Sequence, residues 1–203
     1  AMLLMSLALI PASIAAYRSG IEAGGFVALA LSVVGLAGSA SAPIQLILLP
    51  MASAMWAKGQ REELKVAFGR LERVIIFLGI AALLIVPFSA PLVSILVVGK
   101  RQPELEQVLR LAALSVGPFM YFVCGRQVID ACTVKGINTR NLLLGGLGFL
   151  VALGILLAFG VGDVTAVMLS YSSAMLVLAI ATGWAIRSLF RGLSTQSGQG
   201  VPE

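Results

Sequence analysis

The chain has 203 residues, of which 59% are hydrophobic and only 11% are charged, with a net charge of +5 and a mean hydropathy of +1.02. Soluble domains carry about 25% charged residues, so this composition is too apolar to cover a surface that faces water. It predicts an all-α integral membrane protein whose solvent is the hydrocarbon of a bilayer. The basic residues lie in short breaks beside apolar runs, which indicates lipid headgroups as partners and no nucleic acid.

Metal, redox and hydrolytic chemistry have little support in the sequence. There is no His, and the two cysteines, Cys124 and Cys132, lie eight residues apart in one apolar segment. Two thiols alone are a poor metal site, so we expect small buried thiols, no metal and no cofactor. The sequence also lacks a Walker loop, an HExxH motif and a GxSxG motif. We therefore expect that the protein is not an enzyme.

The first apolar stretch, Met2 to Ala16, contains Pro11 and is short for a bilayer span, which needs about 20 residues. Because the chain starts within this run, we expect it to be a cut segment of a longer protein. A signal peptide is the competing interpretation, with Ile14-Ala15-Ala16 as its small-residue cleavage site. The positively charged region that starts such a peptide is missing, however.

Further apolar segments complete a predicted six-transmembrane-helix bundle over residues 1–191. The approximate spans are 2–16, 24–56, 74–98, 104–134, 142–161 and 164–186. The polar, Gly-rich residues 192–203 are expected to form a disordered cytoplasmic tail.

Prolines within two of these spans are candidates for hinges. The span 24–56 is longer than a simple crossing needs, and its Pro43 and Pro50 each remove an intrahelical hydrogen bond and favour a kink. In the fourth span, Gly117 and Pro118 are expected to interrupt the helix. These four residues are the predicted hinges.

A charged stretch from Lys58 to Arg73 separates the second and third spans. Its sequence predicts a tight turn at residues 58–60 and then an amphipathic helix start. Apolar residues recur there at spacings of three and four, at Leu64, Phe68, Leu71 and Ile75. We expect the charged residues to contact headgroups and to fix the topology, and not to bind substrate.

The polar breaks fall into two sets of unequal charge. One set has nine basic residues, namely Lys58, Arg61, Lys65, Arg70, Arg73, Lys135, Arg140, Arg187 and Arg191. The other has four, namely Arg18, Lys100, Arg101 and Arg110. The positive-inside rule puts the first set, and with it both termini, in the cytoplasm next to an inner or plasma membrane.

Arg126, Gln127 and Asp130 are the clustered polar side chains within an apolar span. An ionisable residue inside a membrane is costly and is a functional candidate by default. Arg126 and Asp130 are four apart, so they share a helix face on which they can pair. The alternative is that Asp130 reaches the interface and that Arg126 snorkels towards it.

Gln45, beside Pro43, is a weaker candidate for contact with a substrate. A broken helix exposes backbone groups to a polar substrate in many transporters. The alternative is an interhelical hydrogen bond. Gln45, Arg126, Gln127 and Asp130 are the predicted substrate-binding residues.

Several short motifs carry a resemblance to a known family. They are Glu22-Ala23-Gly24-Gly25-Phe26, Leu49-Pro50-Met51-Ala52-Ser53, Lys58-Gly59-Gln60-Arg61-Glu62-Glu63-Leu64, Gly99, Leu109-Arg110-Leu111 and Gly117-Pro118. From roughly Tyr17 to Arg191, the chain resembles the polysaccharide-export and O-antigen flippase branch of the multidrug/oligosaccharidyl-lipid/polysaccharide (MOP) exporter superfamily. The resemblance contains no residue motif sharp enough to transfer a catalytic or binding role.

Members of that superfamily have two six-helix lobes around a central cavity and move lipid-linked sugars by alternating access. The resemblance implies that this chain is the second lobe, that an N-terminal six-helix lobe precedes it as a partner, and that the substrate is a lipid-linked oligosaccharide or polysaccharide precursor. Two alternatives stay open. One is half of a cation-coupled multidrug exporter, for which Asp130 is the available intramembrane acid. The other is a non-transporting membrane scaffold subunit.

Overall fold

The structure is a computed structural model that describes residues 2–133 and 136–191, with side chains described from residue 9 onward. The described residues form seven α-helices and no strand. The helices are α1 (Met2–Ser19), α2 (Ile21–Ala40), α3 (Ala42–Ala57), α4 (Arg61–Val98), α5 (Pro103–Cys132), α6 (Ile137–Ala158) and α7 (Asp163–Arg191). The all-α prediction is thereby confirmed for this part of the chain. The predicted tail at 192–203 and Lys135 lie outside the described residues.

Five of these helices, α2, α4, α5, α6 and α7, are long and apolar enough to cross a bilayer. They indicate a multi-pass α-helical membrane protein. α3 is apolar but shorter, and α1 is not among the five. The expected number of six spans therefore stays a prediction.

The second predicted span is two helices and not one. α2 and α3 are separated by a turn at Ser41. Pro43 follows in the first turn of α3, where a backbone N–H has no partner within the helix, so the N–H that proline lacks is not needed there. The kink expected at Pro43 therefore appears as a helix boundary, whereas Pro50 lies inside α3 without ending it.

The interruption expected at Gly117 and Pro118 is wrong, because α5 runs through both residues. Pro118 lacks the N–H that would bond the Leu114 carbonyl, but the helix continues through it. A Cβ added to Gly79 of α4 would lie 2.9 Å from the Cα of Gly117. Gly117 is thus a point of close approach between two helices, as small residues commonly are in membrane bundles.

The helix α5 lies at the centre of the bundle. In the most apolar stretch of α5, 61% of the residues are buried, whereas in that of α4 only 11% are buried. α4, α7, α2 and α3 all pack along α5, and α6 packs on α7. Small residues again allow the close contacts, since Gly125 faces Thr182 of α7 and Gly145 faces Leu178.

The predicted amphipathic start of α4 is confirmed. Leu64, Phe68 and Ile75 are buried, and Leu71 is half-buried against the core. α4 has 38 residues. At about 1.5 Å per residue it is about 57 Å long, so its charged first turns extend beyond a hydrocarbon core of about 30 Å.

The turn between α3 and α4 closes by a recognised C-capping pattern. The Gln60 N–H donates to the Met55 carbonyl at 2.9 Å, and the Gly59 N–H donates to the Trp56 carbonyl at 3.1 Å. This pattern needs a left-handed residue, and Gly59 has a φ of 73°. The guanidinium of Arg61 lies 5.0 Å from the centre of the Trp56 ring and fixes the next helix against the turn.

Candidate functional site

Polar contacts gather at the two ends of the bundle. The first, which we call the Asp163 end, lies at the start of α7, where Arg18 Nε donates to Asp163 Oδ1 at 2.8 Å. The second, which we call the Arg187 end, lies at the opposite end of α7, where Arg187 approaches Glu72 of α4. The four predicted substrate-binding residues, Gln45, Arg126, Gln127 and Asp130, all lie nearer the second end.

The Asp163 end is closed by contacts between the polar breaks. The Glu106 carboxylate, which is buried, accepts from Arg101 Nε at 3.0 Å and from Arg110 Nη2 at 3.5 Å. Gln102 Nε2 donates to Glu22 at 3.2 Å. The hydrogen bond and charge of Glu106 raise the pKa of the Arg101 guanidinium above its ordinary value. Breaks that the charge pattern assigned to one side of the membrane therefore meet at one end of the bundle.

At the Arg187 end, the structure brings two of the predicted residues together. Gln127 Nε2 of α5 donates to Gln45 Oε1 of α3 at 3.3 Å. Gln45 Nε2 donates to Ser41 Oγ at 2.9 Å, and Ser41 Oγ donates to the Gly38 carbonyl at 2.6 Å. A chain of hydrogen bonds thus runs from α5 to the boundary between α2 and α3.

The other two predicted residues, Arg126 and Asp130, do not pair with each other. Asp130 is exposed, and its Oδ1 accepts from Asn138 Nδ2 at 2.6 Å. The same Nδ2 donates to the backbone carbonyl of Arg126 at 3.2 Å. Arg126 is half-buried, and within the described residues its guanidinium has no ion-pair partner. It lies six residues before the end of α5, about 9 Å along the axis, and so near the second end of the bundle.

Sequence reasoning missed a groove between α4 and α7. Both helices pack on α5 without extended contact with each other, which leaves a cavity of 490 Å³. Its walls are apolar, with Ile76 and Ile80 from α4 and Ile180 and Trp184 from α7. Gly117 of α5 lines it as well. None of the four predicted substrate-binding residues lines this cavity.

The groove meets polar side chains at the Arg187 end. Tyr121 Oη donates to Glu72 Oε1 at 3.1 Å, and Arg187 Nη2 lies 3.9 Å from the same oxygen. A second cavity of 690 Å³ adjoins there and shares these three residues with the first. In the sequence, Glu72 is an acidic residue among basic ones, and that contrast could have marked it as a candidate. Its partners on α5 and α7 were not visible, because they are 49 and 115 residues away.

Some buried polar atoms near the same end have no partner. Among the described residues, neither amide atom of Asn141 on α6 has a hydrogen-bond partner, and the Thr182 hydroxyl on α7 has none either. Both residues are buried. Cys124 is buried and Cys132 is half-buried, and both are free thiols.

Over the described residues, the fold is that of an all-helical membrane protein whose charged contacts lie towards its two ends. The resemblance of its short motifs to the MOP exporters stays a prediction. Comparisons of this protein with protein-family models, with curated proteins and with solved structures each gave no match.

Proposed function

We propose that the protein is one lobe of a transporter that moves a lipid-linked oligosaccharide or polysaccharide precursor across the cytoplasmic membrane by alternating access. The substrate class comes from the resemblance to the flippase branch of the MOP superfamily. The proposed role is translocation and not catalysis. The multi-pass helical architecture is compatible with such a lobe.

The observation that carries the proposal is the hydrogen-bonded chain at the boundary between α2 and α3. An apolar segment is interrupted at Ser41, and the Gly38 carbonyl there accepts from Ser41 Oγ and from Gln45 Nε2. Gln127 joins from α5. Transporters use interrupted helices to present backbone and amide groups to polar substrates within the membrane. Sugar hydroxyls are suitable partners for these carbonyl and amide groups, because they both donate and accept hydrogen bonds.

The orientation proposed for this lobe puts the Arg187 end in the cytoplasm, because that end has the larger share of basic residues. Arg126 then lies near the cytoplasmic side, where a lipid-linked sugar carries its anionic pyrophosphate before transport. A half-buried guanidinium with no ion-pair partner in the described residues is suited to attract that group.

The exposed side of α4 supports a second lobe as partner. Phe77, Leu84 and Phe88 are 70%, 59% and 84% exposed, and they lie on α4, whose apolar stretch is the least buried among the five long apolar helices. In the proposed transporter, lipid and the N-terminal six-helix lobe share this surface.

The test is a flipping assay on the full-length protein in vesicles that contain a fluorescent polyprenyl-pyrophosphate oligosaccharide. Replacing both amides, with Gln45→Leu and Gln127→Leu, should slow flipping at least about tenfold, because two polar contacts of about 1 kcal/mol each would be lost. The matched control is Gln107→Leu, because Gln107 Nε2 donates to Thr165 Oγ1 at 3.1 Å near the Asp163 end; this variant should flip normally. Arg126→Ala should also slow flipping, whereas Arg140→Ala should not.

Normal flipping by the double amide variant and by Arg126→Ala, at normal expression, would remove these residues from the mechanism. Failure of the unmodified protein to flip any lipid-linked sugar would contradict the proposed function itself. Sodium- or proton-coupled resistance to cationic dyes would instead favour the multidrug exporter.

A further inference from the structure

The groove between α4 and α7 combines an apolar trough with a basic mouth. The trough runs along the membrane-spanning part of α4, and its lining residues Ile76, Ile80 and Leu83 are exposed. Trp184 closes the α7 side and is 63% exposed. A trough of this kind in a bilayer is filled by hydrocarbon chains, since water has no polar partners along its walls.

The mouth of the groove has an excess of positive charge. The cavity of 690 Å³ is lined by Lys65, Arg73, Arg187 and Arg191, against Glu62 and Glu72. Four basic and two acidic residues leave an excess of two positive charges. Glu72 is already engaged by Tyr121 at 3.1 Å, and Glu62 by Lys65 at 3.4 Å, so the two acids are occupied. The excess charge lies mainly on the arginines.

Two of these arginines have donors to spare for a ligand. Arg187 is 69% exposed and touches Glu72 only at 3.9 Å, which is at the outer limit of an ion pair. Arg73 is exposed, and its Nε donates to the Gly69 carbonyl at 3.3 Å. That hydrogen bond uses neither of the two terminal nitrogens of the guanidinium. Guanidinium groups bind phosphate through paired N–H donors.

We propose that this groove is a binding site for an anionic glycerophospholipid of the bilayer. Its phosphodiester lies at Arg73 and Arg187, and one acyl chain lies along the apolar trough between α4 and α7. Charge complementarity identifies the headgroup, because basic pockets between helices at the cytoplasmic surface recruit anionic lipids. The site is separate from the chain of hydrogen bonds at Gln45 and Gln127, so it does not depend on the proposed transport.

The experiment measures lipid binding by native mass spectrometry of the full chain, released from detergent with graded amounts of phosphatidylglycerol or phosphatidylcholine. Phosphatidylglycerol should bind more tightly than phosphatidylcholine, and added salt should weaken its binding. The double variant Arg73→Gln with Arg187→Gln should lose about 30-fold in affinity, since each basic residue near the surface contributes about fivefold to tenfold. Arg70→Gln is the matched control, because Arg70 is an exposed arginine of α4 that lines neither cavity.

A second pair of variants tests the trough. Ile80→Trp should reduce phosphatidylglycerol binding by filling the groove, whereas Leu84→Trp, one turn further along α4 and outside the lining, should not. All these positions are exposed, so the fold is expected to survive, and circular dichroism checks it. Arg73→Lys with Arg187→Lys should restore most of the affinity.

Three results would overturn the proposal. They are equal binding of phosphatidylcholine, unchanged affinity of the double arginine variant, and displacement of phosphatidylglycerol by an equal concentration of a polyprenyl phosphate. The last would assign the groove to a transport substrate. If the unmodified protein binds phosphatidylglycerol as expected but flips no lipid-linked sugar, this site stands and the result counts against the proposed function alone.

Discussion

The two ends of the bundle differ in how their charges are matched. The Asp163 end has four basic residues, Arg18, Lys100, Arg101 and Arg110, and four acidic ones, Glu22, Glu104, Glu106 and Asp163. The described part of the Arg187 end has nine basic residues, Lys58, Arg61, Lys65, Arg70, Arg73, Arg126, Arg140, Arg187 and Arg191, against four acidic ones, Glu62, Glu63, Glu72 and Asp130. One end has equal numbers of acidic and basic residues, with Arg18, Arg101 and Arg110 in ion pairs, and the other keeps a positive excess.

The two ends also differ in how many buried polar atoms lack a hydrogen-bond partner. Within the described residues, the buried side-chain atoms without a hydrogen-bond partner belong to Arg61, Asn138, Asn141 and Thr182, which all lie in the half of the bundle nearest Arg187. At the Asp163 end the buried Glu106 is bonded to two arginines. We infer that the Asp163 end holds the helices together and that the Arg187 end is the one built to accept a ligand or to rearrange.

The largest effect is expected where α4 crosses α5, between the two ends. Gly79→Ala would bring a Cβ to 2.9 Å from the Cα of Gly117, and backbone cannot yield as a side chain does. We expect a loss of about 1–3 kcal/mol, measured as a lower thermal unfolding temperature in detergent. The variant would force α4 away from α5 and so would alter the groove at the Arg187 end.

Gly69→Ala is the matched control on the same helix, because a Cβ there meets nothing within 4 Å. It should stabilise by up to about 1 kcal/mol through the higher helix propensity of Ala. If Gly79→Ala and Gly69→Ala stabilised the protein equally, the close contact of α4 with α5 would not exist.

A smaller effect, of opposite sign, is expected from the unpaired polar groups. Asn141→Leu and Thr182→Val remove buried groups that have no partner in the described part of the chain, so each should stabilise the protein by about 1 kcal/mol. The control is Ser170→Ala. Ser170 is buried too, but its Oγ donates to the Ala166 carbonyl at 2.6 Å, so its loss should not stabilise. Gains at both Asn141 and Ser170 would contradict the contrast between the ends.

The smallest effect is expected at the ion pair between α1 and α7. A double-mutant cycle with Arg18→Ala and Asp163→Ala should give a coupling of about 0.5 kcal/mol, because both side chains are partly exposed. The coupling should fall as salt is added. A coupling near zero at low salt would mean that the Asp163 end is held by the Glu106 contacts without this pair.

The helices themselves were largely readable from the sequence. The starts of α5 and α7, at Pro103 and Asp163, lie one residue before the predicted starts at 104 and 164. The apolar stripe of Leu64, Phe68 and Ile75 was also correct. These features depend on local propensity and on hydrophobic periodicity, which act over a few residues.

The interactions between helices were not readable in the same way. A proline in an apolar run predicts a break, but Pro118 lies in a continuous helix, and the break occurs next to Pro43. The spacing of Arg126 and Asp130 allows a pair, but Asn138 takes the carboxylate. For Asp130 a neighbouring helix, α6, supplies the competing contact, and one sequence does not say which helices are neighbours.

The sequence by itself determined that this is a helical membrane protein, where several of its helices start, and which of its breaks carry the positive charge. It did so because hydrocarbon, turns and headgroups each impose a local requirement on residue type. Only the tertiary structure decided that α5 is central and that Gln45 meets Gln127. The groove between α4 and α7, with Glu72, Tyr121 and Arg187 at its mouth, was likewise decided there. Those features arise from contacts between residues far apart in the chain, which packing alone selects.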